Sequence, residues 1–566
     1  MRHNIIGLLV KHTKLSFKEV DSLLEVPPNQ ELGDFAFPCF VLAKTLKKAP
    51  QMIAQGLSLG ISKELSKVKS ISEVRAVGPY INFFINNNLL AEGVITGVLK
   101  EGEDYGKRVV DKGEVMVEFP SPNTNKPLHV GHLRNMSLGE SVCRVLEFRG
   151  NNVLRANLYN DRGVHICKSM LAYQKWGNGA TPASTNKKPD HFIGDFYVMF
   201  AQEAKKNPQL EVEVQEMLKR WEDGDKKTVA LWKKMNKWAF DGMGETFKTL
   251  GIKHDKNYYE SDFYDKGKSL VLDGLKKGLF KKKDDGAVFV DLSKYNLGEK
   301  ILLRADGTSI YVTQDIALSN IKYDDYKMDK SIIVTGNEQE YYFKGLFKIL
   351  EVLGFKFSNY NLSYGMVNLP DGKIKSREGA VADADDLISE VKSLVIEELK
   401  TRYKLSKKEL ESRALKIALS AIKYFLLKVG SSRDMIFNPK ESISFEGNTG
   451  PYLLYSYARA NSILEKSGKK LSKKLIIPKV LSASESSLIK LLESFPLVVD
   501  DSYDKLDPSI LANYSYSLAK SFNEFYHSSP VIGSPEENFR LSLVKAFMIT
   551  LKNSLWLLGI DTIDEM

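Results

Sequence analysis

The sequence contains two histidines separated by a valine and a glycine. The types and spacing of these residues suggest a catalytic or ligand-binding site. His129 and His132 are three positions apart and would project from the same side of a helical turn. Gly131 lacks a side chain, so a flat ligand can approach the backbone there. A helix start favours a phosphate, and Lys126 adds a positive charge just upstream. These residues predict a site for ATP with an attacked α-phosphate; the alternative is a loop that merely contains two histidines.

The elements that would position these residues follow from the pattern on either side of them. Val115, Val117 and Phe119 alternate with other residues, which is typical of a short strand. Residues 121–127 contain prolines and turn residues that extend neither a strand nor a helix. Apolar residues then recur at helical spacing as far as Gly150. The loop therefore lies at the carboxyl end of a strand, where ligands bind in open parallel sheets.

Further strands predict the sheet to which this unit belongs. Residues 153–158 form the next strand-like run, and residues 332–334 form a buried-type strand. Two neighbouring βαβ units imply a parallel sheet with helices on its faces. Residues 171–300 interrupt this pattern and predict an insertion between the two halves of the sheet, with helices around 195–251. The lysines at 281–283 predict a solvated face.

A chain of 566 residues is too long for a single core and predicts several domains. Residues 1–110 combine helical patterns with a strand-like aromatic run and predict an α+β domain. Residues 111–390 predict a Rossmann-like α/β domain with a parallel sheet and the insertion. Residues 391–566 contain apolar stripes at helical spacing and predict an all-α domain.

Charge and cysteine content narrow the class of protein. The formal net charge of +10 favours a polyanionic partner. Cys39, Cys143 and Cys167 are widely separated and form no C-x-x-C pair, which argues for a reducing compartment and against a structural zinc site. We interpret them as small buried apolar residues. The apolar run from Ile5 to Val10 is too short for a signal-peptide core, so we expect a cytoplasmic protein. The sequence contains no run of 18 apolar residues, so we expect no spanning helix.

Several stretches resemble one known family. SPNTNKPLHVGHLRN is similar to the H-I-G-H signature region of class I aminoacyl-tRNA synthetases, in the form used by arginyl-tRNA synthetases. GDFAFPCFVLAKTLKKAP and GPYINFF resemble the amino-terminal domain that this family places against the tRNA elbow. FEGNTGPYLLYSYARANSIL and KNSLWLLGI resemble its helical anticodon-binding domain. The resemblance covers nearly the whole chain.

The resemblance implies a reaction and its participants. The enzyme would be an arginine–tRNA ligase, joining L-arginine to the terminal adenosine of tRNA(Arg) through an arginyl-adenylate and releasing AMP and diphosphate. ATP would be the nucleotide, and Mg²⁺ would be carried mainly by its phosphates. We expect a monomer with tRNA, arginine and ATP as partners, no membrane, and no metal ligand from the protein.

The resemblance also assigns the catalytic residues. His129 and His132 would donate hydrogen bonds to phosphate oxygens. The basic loop reads Lys373-Ile374-Lys375 and departs from the usual K-M-S-K-S text. Many arginyl enzymes depart here, and a lysine before the histidine motif is thought to compensate, so Lys126 receives more weight than Lys373 or Lys375. The predicted ATP-binding set is Pro122, Lys126, His129, Gly131, His132, Gly336, Lys373 and Lys375.

A guanidinium is always charged and needs planar, paired acceptors. Asp315 is the best candidate anion, and Tyr311 lies four positions before it, which places both on one helical face if a helix has begun by Tyr311. Both match arginine-binding positions of the family, and Asn123 and Gln339 match positions at the α-amino and carboxylate end. The predicted arginine-binding set is Glu118, Ser121, Asn123, His132, Tyr311, Asp315 and Gln339. Asn82 and Tyr452 are the predicted tRNA contacts.

Two other functions remain open at this point. Another class I synthetase or nucleotidyltransferase would share the histidine motif but not the pair of Tyr311 and Asp315 or the GDFAFP segment. An RNA-binding paralogue without catalysis would need neither histidine, and the presence of both argues against it. Arginine-dependent charging of tRNA separates these alternatives.

Overall fold

The structure is a computed structural model that describes residues 2–27, 29–110, 112–370, 382–472 and 474–566. The chain forms two compact units. One comprises Met1–Tyr105, Ala460–Ser494 and Lys520–Thr550, and the other comprises Gly106–Arg459, Phe495–Ala519 and Leu551–Met566. The described residues that were predicted to bind ATP and arginine belong to the second unit.

The amino-terminal part of the first unit is an α+β structure, as predicted. Its three-stranded antiparallel sheet has the order β1-β3-β2. The helices cover a core that includes Ile5, Leu9, Phe37 and Phe83. The elements are α1 (Arg2–Thr13), α2 (Phe17–Leu23), β1 (Phe35–Pro38), α3 (Phe40–Leu46), α4 (Pro50–Ser62), β2 (Ile71–Val77), β3 (Tyr80–Ile85) and α5 (Asn87–Glu101).

The second unit is built on a five-stranded parallel sheet, which confirms the predicted fold class. Its strands lie in the spatial order 358–364, 330–336, 114–118, 152–159 and 256–259. Its strands and helices are β4 (Glu114–Glu118), α6 (Val130–Phe148), β5 (Asn152–Tyr159), α7 (Val164–Trp176), α8 (Pro182–Thr185), α9 (Pro189–Lys206), α10 (Gln209–Glu222), α11 (Lys226–Leu250), β6 (Lys256–Tyr259), α12 (Gly267–Lys276), β7 (Lys281–Lys282), β8 (Val288–Asp291), β9 (Glu299–Leu303), α13 (Tyr311–Tyr326), β10 (Lys330–Gly336), α14 (Glu340–Val352), β11 (Ser358–Tyr364) and β12 (Val367–Asn368).

The rest of the chain is almost entirely helical, as the apolar stripes predicted. The elements are α15 (Ala384–Arg402), α16 (Lys407–Leu427), β13 (Met435–Ile436), α17 (Pro439–Ser442), α18 (Gly450–Ser467), α19 (Ala483–Lys505), α20 (Ser509–Ser528) and α21 (Glu537–Leu557). The short strand β13 pairs in parallel with β12.

Helix α6 packs closely against the chain that leaves β4. Val115, Met116, Val117 and Glu118 are all buried, as expected for a parallel strand covered on both faces. A Cβ atom at Gly139 would lie 2.5 Å from the Phe119 ring, so this close approach requires glycine. The packing fixes the helix that carries the histidine motif.

The prediction that residues 171–300 form an insertion outside the main sheet is wrong for residues 256–259. Strand β6, at 256–259, pairs in parallel with β5 and forms an edge of the main sheet. It has only four residues, and Tyr258 is the buried one, so it lacks the apolar run that marks a central strand. Helices α9, α10 and α11 confirm the helical prediction for 195–251, and a small antiparallel sheet, β7-β8-β9, follows β6.

Two further predictions are confirmed. Cys39, Cys143 and Cys167 are buried and free. Of the three lysines predicted to form a solvated face, Lys281 and Lys282 are exposed, and Lys283 is half-buried and pairs with Glu299 at 2.7 Å. Among the described residues, no helix is both long enough and apolar enough to span a membrane.

Candidate active site

The two histidines begin helix α6 and are joined through its first turn. His129 Nδ1 accepts the backbone N–H of Gly131 at 3.1 Å, and His132 Nδ1 accepts the backbone N–H of His129 at 3.0 Å. Their ring centroids are 3.8 Å apart. Because each Nδ1 is an acceptor, a neutral ring carries its proton on Nε2. Both imidazoles therefore offer an Nε2–H donor to a ligand.

Burial determines the charge of these rings. It lowers the pKa of His129 to about 4, with help from the nearby charge of Lys126. Burial also lowers the pKa of His132 well below its ordinary value, and His129 and Lys126 act in the same direction. Both histidines are thus neutral at pH 7, and the exposed Lys126 is the cation beside them.

The loop before α6 is tied to the end of β5. Asn160 donates its backbone N–H to the carbonyl of Pro122 at 3.0 Å and its side-chain amide to the carbonyl of Ser121 at 3.1 Å. Thr124 donates back to the Asn160 carbonyl at 3.2 Å. Ser121 has a φ of +56°, a left-handed conformation that is uncommon outside glycine. This bracing buries Pro122 and leaves Asn123 exposed.

Asp315 lies in a partly buried acidic site with Glu118. The Tyr342 hydroxyl donates to Asp315, and Lys322 forms an almost fully buried ion pair with Glu118. Burial raises the pKa of Asp315 to about 6; Glu118 raises it too, while Tyr342 and Lys322 act against the shift. The Ser121 hydroxyl donates to Glu118 at 3.3 Å. The predicted arginine-binding residues Glu118, Ser121 and Asp315 are therefore brought together.

Glu260, which the sequence reasoning missed, adds a further carboxyl group to this site. Burial raises its pKa to about 7, and the charges of Asp161 and Asp315 act in the same direction, whereas Arg162 opposes them. Asp161 holds the turn in place by accepting the Ser261 backbone N–H at 2.9 Å and its hydroxyl at 2.8 Å. The sequence feature that could identify Glu260 is its position directly after a short strand. The sequence pattern, however, places that strand in the insertion and not in the main sheet.

Tyr311, Gly336 and Gln339 lie at the same edge of the sheet or at the start of a neighbouring helix. Tyr311 is the first residue of α13, one turn before Asp315, and is 77% exposed. Gly336 ends β10 and is buried, and a Cβ atom there would overlap the Glu338 carboxylate. Gln339 is exposed in the turn that follows. Since β4, β5, β6 and β10 are parallel, their carboxyl ends meet at one edge.

Lys373 and Lys375, which were predicted to bind ATP, are outside the described residues. The two predicted tRNA contacts lie away from the acidic site and the histidine motif in sequence. Asn82 belongs to the first unit and is 3% exposed, with its Oδ1 unpaired among the described residues. Tyr452, near the start of α18, is half-buried with its ring 5.8 Å from that of Tyr516.

One group of side chains within the described ranges has the spacing of a metal site. The ligand atoms of Asp190, His191 and Asp385 lie within 4.8 Å of one another. Lys188 Nζ lies 3.0 Å from Asp190 and 2.7 Å from Asp385, so an ammonium already supplies positive charge between these carboxylates. The positive charge that a metal ion would bring to Asp190 and Asp385 is therefore supplied by Lys188.

Three family models match the chain. "tRNA synthetases class I (R), catalytic domain" matches residues 94–439, "DALR anticodon binding domain" matches 453–566, and "Arginyl tRNA synthetase N terminal domain" matches 2–85.

Whole-chain comparisons agree with these matches. An arginine–tRNA ligase of Treponema denticola is 47% identical over 560 residues, covering 96% of this chain and 94% of the relative. That of Treponema pallidum is 42% identical, covering 96% and 95%. The solved arginyl-tRNA synthetase of Thermus thermophilus superimposes with a TM-score of 0.82 at 26% identity, over 100% of both chains.

Proposed function

The chain belongs to the arginyl-tRNA synthetase family of class I aminoacyl-tRNA synthetases, and on that premise we propose that it ligates L-arginine to tRNA(Arg) with ATP. The observation that carries the proposal is the convergence of His129, His132 and Asp315 around one edge of a parallel sheet. A phosphate-binding helix start and a carboxylate for a guanidinium are the two sites that arginine activation requires.

In the first step, an oxygen of the arginine carboxylate attacks the α-phosphorus of ATP. The bond from that phosphorus to the β-phosphate oxygen breaks, and diphosphate leaves with both electrons. His129 and His132 donate Nε2–H to the phosphate oxygens while negative charge develops, and Lys126 offsets that charge. Mg²⁺ would bind the leaving diphosphate, held mainly by phosphate oxygens.

In the second step, a hydroxyl of the terminal ribose of tRNA attacks the carbonyl carbon of arginyl-adenylate. The bond from that carbon to the phosphate oxygen breaks, AMP leaves with both electrons, and the proton of the attacking hydroxyl is released to solvent. The products are arginyl-tRNA and AMP. The side chains that bind the adenylate need not move between the steps, because the same α-phosphate remains in place until AMP departs.

Selection of arginine is assigned to the acidic site. Asp315 and Glu260 would accept hydrogen bonds from the guanidinium, and Tyr311 would form a wall beside it. Citrulline has the same shape but no charge, so it would leave buried carboxylates without a cation. Asn123 and Gln339 are both exposed and are assigned to the α-amino and carboxylate end of the amino acid.

We further propose a monomer that acts in the cytoplasm. All the residues assigned to ATP and arginine come from a single chain, so one copy suffices for the chemistry. Three free, buried cysteines suit a reducing compartment. Light scattering of the purified protein and fractionation of its source cells test these two assignments.

Aminoacylation of unfractionated tRNA tests the function directly. We expect radiolabelled arginine to enter acid-precipitable tRNA in the presence of ATP and Mg²⁺, and labelled lysine and glutamate to remain free. Charging with another amino acid would identify a different class I synthetase. Binding of tRNA without charging by any amino acid would identify a paralogue that does not catalyse.

A further inference from the structure

A cluster of ionisable side chains connects the amino-terminal ends of α9 and α15. It consists of Lys188, Asp190, His191, Asp383 and Asp385, and we call it the α9–α15 cluster. Lys188 Nζ lies 3.0 Å from Asp190 Oδ2 and 2.7 Å from Asp385 Oδ2. His191 Nε2 lies 3.0 Å from Asp385 Oδ2 and 3.5 Å from Asp383 Oδ2. Two basic groups thus hold three carboxylates.

Helix α11 completes this cluster. Lys188 donates to the Thr246 hydroxyl at 2.7 Å, and that hydroxyl donates to Asp385 Oδ1 at 3.0 Å. Asp190 is 1% exposed and packs against Gly242, where a Cβ atom would overlap it. Buried charges are costly unless they are paired, so removal of one partner leaves the others unsatisfied.

Backbone hydrogen bonds connect the cluster to the histidine motif. Val130 donates its N–H to the Ala382 carbonyl at 2.9 Å, and Ala384 donates to the Leu128 carbonyl at 3.0 Å. Asp383 therefore lies directly opposite His129 in an antiparallel bridge. The chain that carries two carboxylates of the cluster also holds the residue that caps α6.

Helix α9 contacts the other side of the same loop. A Cβ atom at Gly194 would lie only 2.7 Å from Pro127 Cδ, so the helix and the loop are in close contact. Asp383 also caps α15, because its Oδ1 accepts the backbone N–H groups of Asp385 at 2.8 Å and Asp386 at 3.2 Å. The start of α6 is thus braced through both Pro127 and Asp383.

We propose that Lys188 and His191 are positioning residues for ATP, which act through Asp383 and Asp385 to hold His129 at the α-phosphate. This inference rests on the proposed function. Neither side chain needs to touch the nucleotide. A displacement of about 1 Å in a reacting group can slow a reaction by roughly 100-fold, so loosening this brace should impair the step that uses His129. The acidic site for arginine contains no member of the cluster.

Lys188→Met, compared with Lys187→Met, tests the inference. The Lys187 side chain is 44% exposed and pairs with Asp195 on the surface, whereas that of Lys188 is 19% exposed. The assay is arginine-dependent exchange of diphosphate into ATP, with tRNA present. We expect Lys188→Met to lower kcat/KM for ATP at least tenfold and to change the arginine KM less than twofold. Lys187→Met should match the unaltered protein.

A second pair of variants separates positioning from simple loss of structure. The amide of His191→Gln can still donate to Asp385, whereas His191→Ala cannot. We expect the glutamine variant to keep most of the kcat/KM for ATP and the alanine variant to lose at least tenfold. Thermal unfolding reports which variants fold, and if Lys188→Met does not, the His191 pair decides.

The possible results distinguish failure of this inference from failure of the proposed function. An unaltered protein that charges no arginine refutes the proposed function itself. With an active protein, the inference is overturned if Lys188→Met behaves like Lys187→Met or raises the KM of arginine by as large a factor as it lowers kcat/KM for ATP. Equal activity of His191→Ala and His191→Gln also overturns it.

Discussion

At the scale of single residues, the charge beside the phosphate site comes from lysine. His129 and His132 are neutral at pH 7 because burial lowers the pKa of both. They can donate hydrogen bonds from Nε2, but they carry no net charge to oppose that of a triphosphate. Lys126, three residues before His129, is exposed and supplies a positive charge, whereas Arg134 is fully buried.

Lys126→Ala should therefore slow formation of the adenylate. We expect a loss of at least tenfold in the exchange reaction with little change in tRNA affinity, because the phosphoryl centre loses its counter-charge. Lys126→Arg keeps the charge and serves as the control. Near-normal turnover of the alanine variant would indicate that Lys373 and Lys375, and not Lys126, supply this counter-charge.

Asp315→Asn should weaken arginine selectively. The variant would leave a buried guanidinium without its anion, which costs about 3 kcal/mol, or roughly 100-fold in affinity. We expect the arginine KM to rise by about this factor and the ATP KM to stay within a few-fold. Asp324→Asn, which removes an exposed carboxylate on the same helix, is the matched control. An equal rise in the KM values of arginine and ATP would contradict the role of Asp315 in arginine binding.

The pKa values of two carboxyl groups predict how arginine binding depends on pH. Burial raises the pKa of Asp315 to about 6 and that of Glu260 to about 7. A bound guanidinium favours their ionised forms, so arginine should displace protons and bind more tightly as pH rises from about 5.5 to 8. Calorimetry in buffers of different ionisation enthalpy measures this release. Glu260→Gln should reduce it, and binding independent of pH would contradict the assignment.

At the scale of elements, α6 depends on its closest approach to the chain after β4. A side chain at Gly139 would meet the Phe119 ring, whereas Gly244 in α11 has open space around it. Gly139→Val should lower stability by about 2 kcal/mol through overpacking. Gly244→Ala should raise it by roughly 0.5–1 kcal/mol through helix propensity. Thermal unfolding of both variants checks these signs, and an unchanged midpoint for Gly139→Val would show that α6 can shift.

Two buried basic side chains, Arg134 in α6 and Lys423 in α16, hold these helices to carbonyl groups of neighbouring segments. Arg134 is fully buried and donates to the carbonyls of Gly365 at 2.6 Å and Arg433 at 2.8 Å. Lys423 donates to the carbonyls of Leu250 at 2.8 Å and Gly559 at 2.6 Å. Burial lowers the pKa of Lys423 to about 8. Leu250 ends α11 and Gly559 follows α21, where the last carbonyls have no partner inside the helix, so Lys423 supplies one.

At the scale of the whole molecule, the net charge of +10 predicts that tRNA affinity depends on salt. Binding of a polyanion releases counterions, so affinity falls as salt rises. We expect the tRNA Kd to rise at least tenfold between about 50 and 200 mM salt, while the arginine KM changes less than twofold, because the acidic site is partly buried. Filter binding and exchange kinetics measure the two quantities. A tRNA Kd independent of salt would contradict the charge-based interface.

Local pattern was sufficient for much of the fold. Strand β4 and helix α6 follow from the sequence because periodicity and turn residues act over a few neighbouring positions. Strand β6 was missed because a short edge strand carries almost no apolar signal, and it becomes a strand only by pairing with β5. That error also hid Glu260, which directly follows β6.

The sequence by itself determined the histidine motif and its strand–loop–helix setting, and it placed Tyr311 four positions before Asp315. Tertiary structure alone decided that Lys322 neutralises Glu118, that Tyr342 donates to Asp315 and that Asp383 lies opposite His129. It also decided that both imidazoles are neutral. The physical reason is that ionisation depends on burial and on charges brought close by folding, which residue type and spacing along the chain do not specify.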